Sequence, residues 1–392
     1  MKLLISLFRI VVGLLFIFSG LVKANDPHGL SYKMQEFFEL WHLTGFNGIT
    51  LGLSIVMNAF EIIAGFALLI GWRIKLFSWL LLLLILFFTF LTGYTYITGK
   101  PTNCGCFGDC LPISSKTSFL KDVALTVLIG FIFWRRNSIR PLFSKKINAL
   151  LMILVTIFSF AIQWYALTYL PVVDCLPYKK GNNLAEKMKI PAGALPDSFA
   201  IRFVYEKGGT QYEFAPADLP ADLDSYNYVS RTDKLIRKGN AEPPIKGFSL
   251  TGITDQDSTS VILSQPYAVI VFFEDFSNPF SKWKTDLEEL YTVAKSKNIP
   301  VYAVTSRRDE AIRNFANTAV ATIPVFVSDY TAIRAAARTY PCFYLLHKGT
   351  VVEKQSHKRV DIIKNQINGL AVQKAQDQPE PGTSIHPDTT NQ

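Results

Sequence analysis

The chain is short of charge and short of sulfur. Of 392 residues only 18% are charged, against the roughly 25% usual for soluble proteins, while 49% are hydrophobic. Mean hydropathy is positive, +0.22. That deficit argues against a wholly soluble chain. It is also uneven, because apolar residues crowd the first half and polar ones the second. The pattern predicts a membrane domain followed by a soluble domain. There are five cysteines and no Cys-x-x-Cys anywhere, which excludes the usual two-thiol redox motif and its zinc-binding cousins. Five is odd, so at least one cysteine stays unpaired. Histidine is also scarce, at five residues without ligand spacing, so no metal site is expected. The net charge of +9 needs no nucleic acid partner. Much of it lies in short loops between apolar runs, where Lys and Arg collect on the cytoplasmic side.

What the sequence does have is five long apolar runs, residues 3–22, 51–72, 76–97, 119–134 and 147–170. About 20 residues are needed to cross a bilayer, and the fourth run is the shortest. The first run has features of a secretory leader. Arg9 within it and the spans that follow favour a retained span. Arg73 and Lys75 join the second and third runs; Arg135, Arg136, Arg140, Lys145 and Lys146 join the fourth and fifth. Neither loop contains an acid, so both read as cytoplasmic. The amino terminus is then cytoplasmic, and everything after residue 170 is external. All five cysteines fall on that external, oxidising side. The lipid bilayer is one expected partner, and a bacterial inner membrane with a periplasmic carboxy-terminal domain is the expected location.

Three of the cysteines share one loop, Asn103-Cys104-Gly105-Cys106-Phe107-Gly108-Asp109-Cys110, between the third and fourth spans. A disulfide between Cys104 and Cys106 would be tight, with Gly105 relieving the backbone. Strained, exposed disulfides exchange readily. The loop is therefore a candidate redox site, with a soft-metal site as the lesser alternative. Asp109 could move a proton during exchange; its plainer role is to make a turn or cap the fourth span. Cys110 and Cys175 lie near the same surface and are candidates for a structural disulfide, or Cys175 resolves a mixed disulfide on Cys104 or Cys106. Glu61 is the notable acid inside a span. An ionised carboxylate there must face the bundle interior or be protonated. It is a candidate proton or quinone site, or half of a packing pair with Arg9, Lys23 or Asn58.

The first half resembles the DoxX-like and MauE-like membrane proteins. Arg9-x-x-x-Gly13, Phe18-Ser19-Gly20-Leu21-Val22-Lys23, Asp26-Pro27-His28-Gly29, Glu61-x-x-x-Gly65 with Gly71, and the run Cys104 to Asp109 carry the likeness over residues 1–170. MauE belongs to methylamine metabolism and is linked to maturation of a disulfide-rich dehydrogenase. The resemblance implies a maturation role for the fold, and not the methylamine substrate.

Beyond the spans, four segments are expected: a membrane domain over 1–172, a bridge with a β-hairpin at Gly208-Gly209 over 173–242, an α/β domain over 243–371, and a disordered Pro- and Gln-rich tail over 372–392. Residues 267–273, 300–305 and 323–327 read as strands alternating with helices, with a hairpin through Lys348-Gly349. This order resembles the thioredoxin fold, in its TlpA-like and peroxiredoxin-like branches. The lead-in Pro243-Pro244-Ile245-Lys246-Gly247-Phe248 and Tyr340-Pro341, where that fold carries its cis-proline, carry the likeness. Where the family places Cys-x-x-Cys this chain has Ser277-Asn278-Pro279-Phe280. The remnant site is then Ser277, Phe280, Pro341 and Cys342, with Cys342 either a single reactive thiol or a buried structural one.

The fold class expected is a helical membrane bundle of about five spans followed by a periplasmic α/β thioredoxin-like domain. The function expected is thiol–disulfide redox or maturation of periplasmic protein clients, with a quinone as an acceptor that Glu61 would serve. The alternative is a non-catalytic assembly protein whose α/β domain binds partners. A small-solute transporter ranks third, because one intramembrane acid supplies little of a pathway.

Overall fold

A computed structural model describes residues 2–101, 105, 108–237, 239–253 and 255–374. Cys104, Cys106, Phe107 and nearly all of the tail expected to be disordered lie outside the described residues.

Helices α1 (Lys2–Ala24), α3 (Thr50–Ile70), α4 (Ile74–Thr98), α5 (Ser115–Trp134) and α6 (Lys145–Tyr169) follow the five apolar runs, and each is long and apolar enough to cross a membrane. Their outward faces carry large apolar side chains such as Leu83, Phe90, Ile153 and Ile157, as a lipid solvent requires. Small residues set the closest crossing. A side chain at Gly65 would meet the Gly13 carbonyl oxygen at 2.8 Å and the Phe16 Cβ at 3.0 Å, so α1 and α3 touch backbone to backbone.

The sequence reading left residues 23–50 as an external loop. They hold a further helix instead, α2 (Pro27–Leu40). Its start follows local rules: Asp26 caps it by accepting from the Gly29 N–H, and Pro27 occupies the first turn. Its apolar content was too low to read as a span, and its Phe37 and Leu30 are buried against the bundle.

Arg9 does not meet Glu61. Its Nε and Nη2 donate to the carbonyls of Leu68 and Leu69, at 3.2 and 2.8 Å. It thus satisfies the last turn of α3, where an arginine also suits the helix dipole. Glu61 pairs with Lys23 instead, and Ser19 Oγ donates to its other oxygen at 2.9 Å. Asn58, the third partner considered, donates to the Lys23 carbonyl and to Gln163, both at 3.2 Å.

After a short helix α7 (Leu184–Lys187), strands β1 (Ser198–Lys207), β2 (Thr210–Phe214) and β3 (Asn227–Arg237) form an antiparallel sheet ordered β2-β1-β3. The hairpin at Gly208-Gly209 is present; β3 was not foreseen. It is a polar strand, Asn-Tyr-Val-Ser-Arg-Thr-Asp-Lys at its start, and lacks the alternation that marks a half-buried strand.

The α/β domain follows: α8 (Thr259–Ser264), β4 (Ala268–Phe272), α9 (Lys284–Ser296), β5 (Val301–Thr305), α10 (Arg308–Phe315), β6 (Val325–Val327), α11 (Tyr330–Ala336), β7 (Cys342–His347), β8 (Thr350–Ser356) and α12 (Val360–Asn368). The sheet order is β6-β5-β4-β7-β8. The first three strands are parallel, β7 runs against them, and β8 turns back to run against β7. Alternate residues of the central strand feed two cores, Ile270 and Phe272 on one face and Val269 and Val271 on the other. The Tyr340-Pro341 bond is cis. Strand order, hairpin and cis-proline together give a thioredoxin-like domain.

Gly65→Val should force α1 away from α3 and destabilise the bundle by about 1–3 kcal/mol. Thermal unfolding of the detergent-solubilised chain checks this.

Candidate functional site

The cysteine loop leaves α4 and enters α5, and its backbone bends where glycine permits. Gly105 and Gly108 have φ of 70° and 58°, a region L side chains avoid. A side chain at Gly105 would also meet Lys33 Cγ of α2 at 2.9 Å. The Gly108 N–H donates to the Gly105 carbonyl at 3.0 Å. Glycine at 105 therefore lets the backbone there lie close against α2.

Cys110 and Cys175 are joined by a disulfide, with Cα atoms 4.9 Å apart. It ties the loop to the segment that leads out of α6. The same segment is held from the other side, because the Asn25 side chain exchanges two hydrogen bonds with the Val173 backbone, at 2.8 and 3.0 Å. Asp174 next to it accepts from Lys354 of β8 at 2.7 Å.

The α/β domain rests on this assembly through α11 and its cis-proline turn. Arg338, 4% exposed, donates from Nε to Asp26 Oδ2 and from Nη2 to Asp109 Oδ2, each at 2.8 Å. Burial opposes its charge, but Asp26 and Asp109 outweigh that, so its pKa is raised. One turn earlier, Arg334 pairs with Glu274 and donates to Gln35 of α2 at 2.8 Å. The Tyr32 and Tyr340 hydroxyls are 2.8 Å apart, and both guanidinium groups lie over the Tyr32 ring, at 4.7 and 5.4 Å. His28 stacks on Tyr32 and meets Tyr340 edge-on. Burial lowers its pKa to about 4, Asp26 opposing and the two arginines assisting.

Asp109 accepts from Arg338 in these contacts. It does not cap α5; Ser114 does, accepting from the Thr117 N–H at 3.2 Å. Asp109 sits in the turn at 108–110 and is the loop's handle for Arg338. Sequence reasoning missed Arg338, Arg334 and Tyr32. Their only trace was the spacing of the two arginines, four residues apart, Arg334 in α11 and Arg338 just past its end.

The remnant site is closed. Asn278 Nδ2 donates to the Tyr340 carbonyl at 2.8 Å, and Trp283 Nε1 donates to the Asn278 carbonyl at 3.1 Å. Phe280 is buried between Trp283 and Phe315, with centroids 4.7 and 5.2 Å away. The Ser277 N–H donates to Asp275 Oδ1 at 2.9 Å in a local turn. Pro341 carries no exchangeable group. Cys342 is fully buried, and burial pushes its thiol up to about 12, which holds it protonated and unreactive at neutral pH. Glu61 lies apart from these residues, deeper in the bundle.

Two cavities flank the loop. One of about 380 Å³ lies between the α/β domain and the bundle, lined by Tyr32, Lys33, Asp109, Cys175 and Arg338 among others. A smaller one of about 90 Å³ lies within the bundle under aromatic walls. Gly105 lines both.

Arg338→Met leaves two facing carboxylates without their cation. It should weaken docking of the α/β domain by about 3 kcal/mol, read as faster amide exchange in α2 and at 108–110. His28 gives a pH dependence. It stays neutral in the folded chain down to about pH 4 but takes a proton near 6.5 when released. Its contribution is whole above 6.5 and is lost as pH falls from 6.5 to 4, amounting to about 3 kcal/mol. His28→Gln should flatten that part of the stability–pH curve.

Comparison with known proteins agrees with this layout in part. Residues 1–135 match the family described as methylamine utilisation protein MauE, and the match stops at the end of α5, short of the residue 170 to which the resemblance was read. Residues 199–238, the three-stranded sheet, match a domain of unknown function. The chain is 26% identical over 129 residues to Protein TlpB of Flavobacterium psychrophilum, which is 32% of this chain and 35% of that protein. The match thus spans about a third of that relative's length. A solution structure of a thiol:disulfide interchange protein from Bacteroides sp. aligns over 31% of this chain and 86% of its own, at 14% identity and a TM-score of 0.25. The chain is therefore a multi-pass membrane protein whose first 135 residues match the MauE family, and its carboxy-terminal domain has the thioredoxin-like strand order described above.

Proposed function

We propose that this protein is a membrane-bound thiol–disulfide redox factor that assists maturation of proteins on the outer face of a bacterial inner membrane. The observation that carries the reading is the docking of the α/β domain, by its cis-proline turn, onto the loop that bears Cys104 and Cys106. The remnant site of that domain lacks the Cys-x-x-Cys pair and its one thiol, Cys342, is buried, whereas the loop it docks on bears two further cysteines in sequence. In the exchange, a client thiolate attacks one sulfur of a Cys104–Cys106 disulfide. The second client thiol then displaces the mixed disulfide. Two client S–H bonds are lost, one client S–S bond forms, and the loop leaves as a dithiol. The larger cavity beside Gly105 offers room for an extended client segment. Cys110 and Cys175 are already paired, so they anchor the loop and take no part in the exchange.

Charge placement supports the sidedness. Arg73, Arg135, Arg136 and Arg140 gather at one end of the bundle, where the Leu142 N–H donates to the Ile70 carbonyl at 2.9 Å. The Cys110–Cys175 disulfide and the α/β domain gather at the other, which the charge rule makes the external side.

A second reading makes the protein a non-catalytic assembly factor. The closed remnant site, with Asn278 on the Tyr340 carbonyl, favours it. The two readings separate by experiment. Under a graded dithiothreitol titration, Cys104 and Cys106 should become alkylatable together at mild potential, while Cys110 and Cys175 resist. Replacing both Cys104 and Cys106 by Ser should abolish oxidation of a reduced client peptide. Labelling that never appears, or full activity in the double variant, leaves the assembly reading standing.

A further inference from the structure

The three-stranded sheet has no core of its own. It joins the rest of the chain at one neck, where the strand entering β1 and the strand leaving β3 are tied together. The Asn240 N–H donates to the Leu195 carbonyl and the Leu195 N–H to Asn240 Oδ1, each at 2.8 Å. The Gly239 N–H donates to Asp197 Oδ1 at 2.6 Å. From 185 to 244 none of the described residues is buried. A sheet this small needs a packed face or further strands to be stable.

Its longest strand is also an edge. β3 has 11 residues and no proline, and it pairs with β1 alone. Every described side chain along it is exposed. Among the described residues, no backbone group from outside the sheet bonds to it. The irregularities lie near its ends: the register with β1 skips Val229 and Ile236, which leaves 230–235 regular. A long free edge is a template for another strand.

We propose that β3 pairs with β3 of a second copy of this chain, antiparallel about Thr232, so that two three-stranded sheets become one of six strands. The charge pattern carries the inference. A two-fold axis normal to a sheet must pass through a residue, because neighbours along a strand point to opposite faces. Residues equally far from the axis in sequence then face one another. About Thr232, Arg231 faces Asp233 of the second copy, and Asp233 faces Arg231 of the second copy. Within one chain these side chains already share a face, with Arg231 Nε on Asp233 Oδ1 at 2.7 Å. The pairing therefore closes a ring of four alternating charges. Opposite charges directly across an antiparallel pair stabilise it, and like charges do the reverse. Centred one residue to either side, on Arg231 or on Asp233, the axis would set a like charge against itself.

The flanks agree. Ser230 faces Lys234, and Tyr228 and Ile236, both exposed apolar side chains, lie four residues to either side of Thr232. Over 198–237 five basic residues stand against six acidic ones, so net charge neither repels a second copy nor draws the sheet to an anionic membrane. Pairing β3 to the β2 edge of the next copy would not close, whereas the two-fold pair leaves only the 5-residue β2 at each edge. The pairing stands whichever of the two functions holds, since no residue of the docking site takes part in it.

Register-specific cross-linking tests it, on the full chain in native membranes with copper–phenanthroline as oxidant. A Cys104→Ser, Cys106→Ser background is used; the other cysteines are bridged or buried. Thr232→Cys, on the axis, should give a covalent dimer of twice the chain's mass. Ser230→Cys and Lys234→Cys should give little alone, and a mixed dimer when co-expressed with different tags. Arg231→Glu or Asp233→Arg, each added to Thr232→Cys, should cut the yield by about tenfold, and both together should restore it. Cys110 and Cys175 that stay closed to alkylation show that each variant is folded. No Thr232→Cys dimer above background, equal yields at every position, a yield unmoved by the single charge reversals, or no recovery in the double reversal overturns the proposal. A Thr232→Cys adduct to a different protein in place of the dimer also overturns it, in favour of that partner's strand on the same edge.

Discussion

One buried guanidinium holds the two halves of this protein together. Arg338 comes from the α/β domain, and both its partners, Asp26 and Asp109, come from the membrane half. A charge with 4% exposure is tolerable only because two carboxylates and the Arg334 carbonyl satisfy it. Such an arrangement adds little net stability over an apolar contact, but it is intolerant of error: either domain misplaced leaves charges buried and unpaired. It therefore specifies one docking geometry. That geometry presses the cis-proline turn against α2 and fixes the turn at 108–110 beside it.

The α/β domain carries no Cys-x-x-Cys pair, and its one thiol, Cys342, is buried. Its remnant site has been converted to structure, with Phe280 in the core and Asn278 on the carbonyl before Pro341. What it offers the site is a wall and a cation. Asp109 alone, close in sequence to the thiols, would oppose their ionisation. Paired with Arg338 it is held as one end of a neutralised bridge, so the domain also sets the charge beside the loop.

Much of the architecture was legible in the sequence because its signals are one-dimensional. Apolar runs of about 20 residues, loops without acids, and strands alternating with helices are read along the chain without knowing what packs where. The helix α2 was missed because it is neither a span nor strongly amphipathic by composition, and only packing on the bundle reveals it. Strand β3 was missed because its residues are polar on both faces. The docking site was invisible for a different reason. Asp26, Asp109 and Arg338 are 83 to 312 residues apart in sequence, and ion pairs across such distances leave no periodicity. Glu61 shows the middle case: its need for a partner could be deduced from the cost of a charge in lipid, and Lys23 was among the partners weighed, but only the fold chose it over Arg9.

The disulfide has a topological effect beyond anchoring the loop. It closes a covalent ring from Cys110 to Cys175, a separation of 65 residues, and that ring contains α5, the basic turn and α6. The match to the MauE family ends inside the ring, at residue 135, so the bridge fastens the segment after α6, beyond the matched residues, to a loop within them. A protease cutting the basic turn would not release the α/β domain. The two fragments would stay a single molecule until the bridge was reduced, so the state of one sulfur pair decides whether the domain outside can part from its anchor.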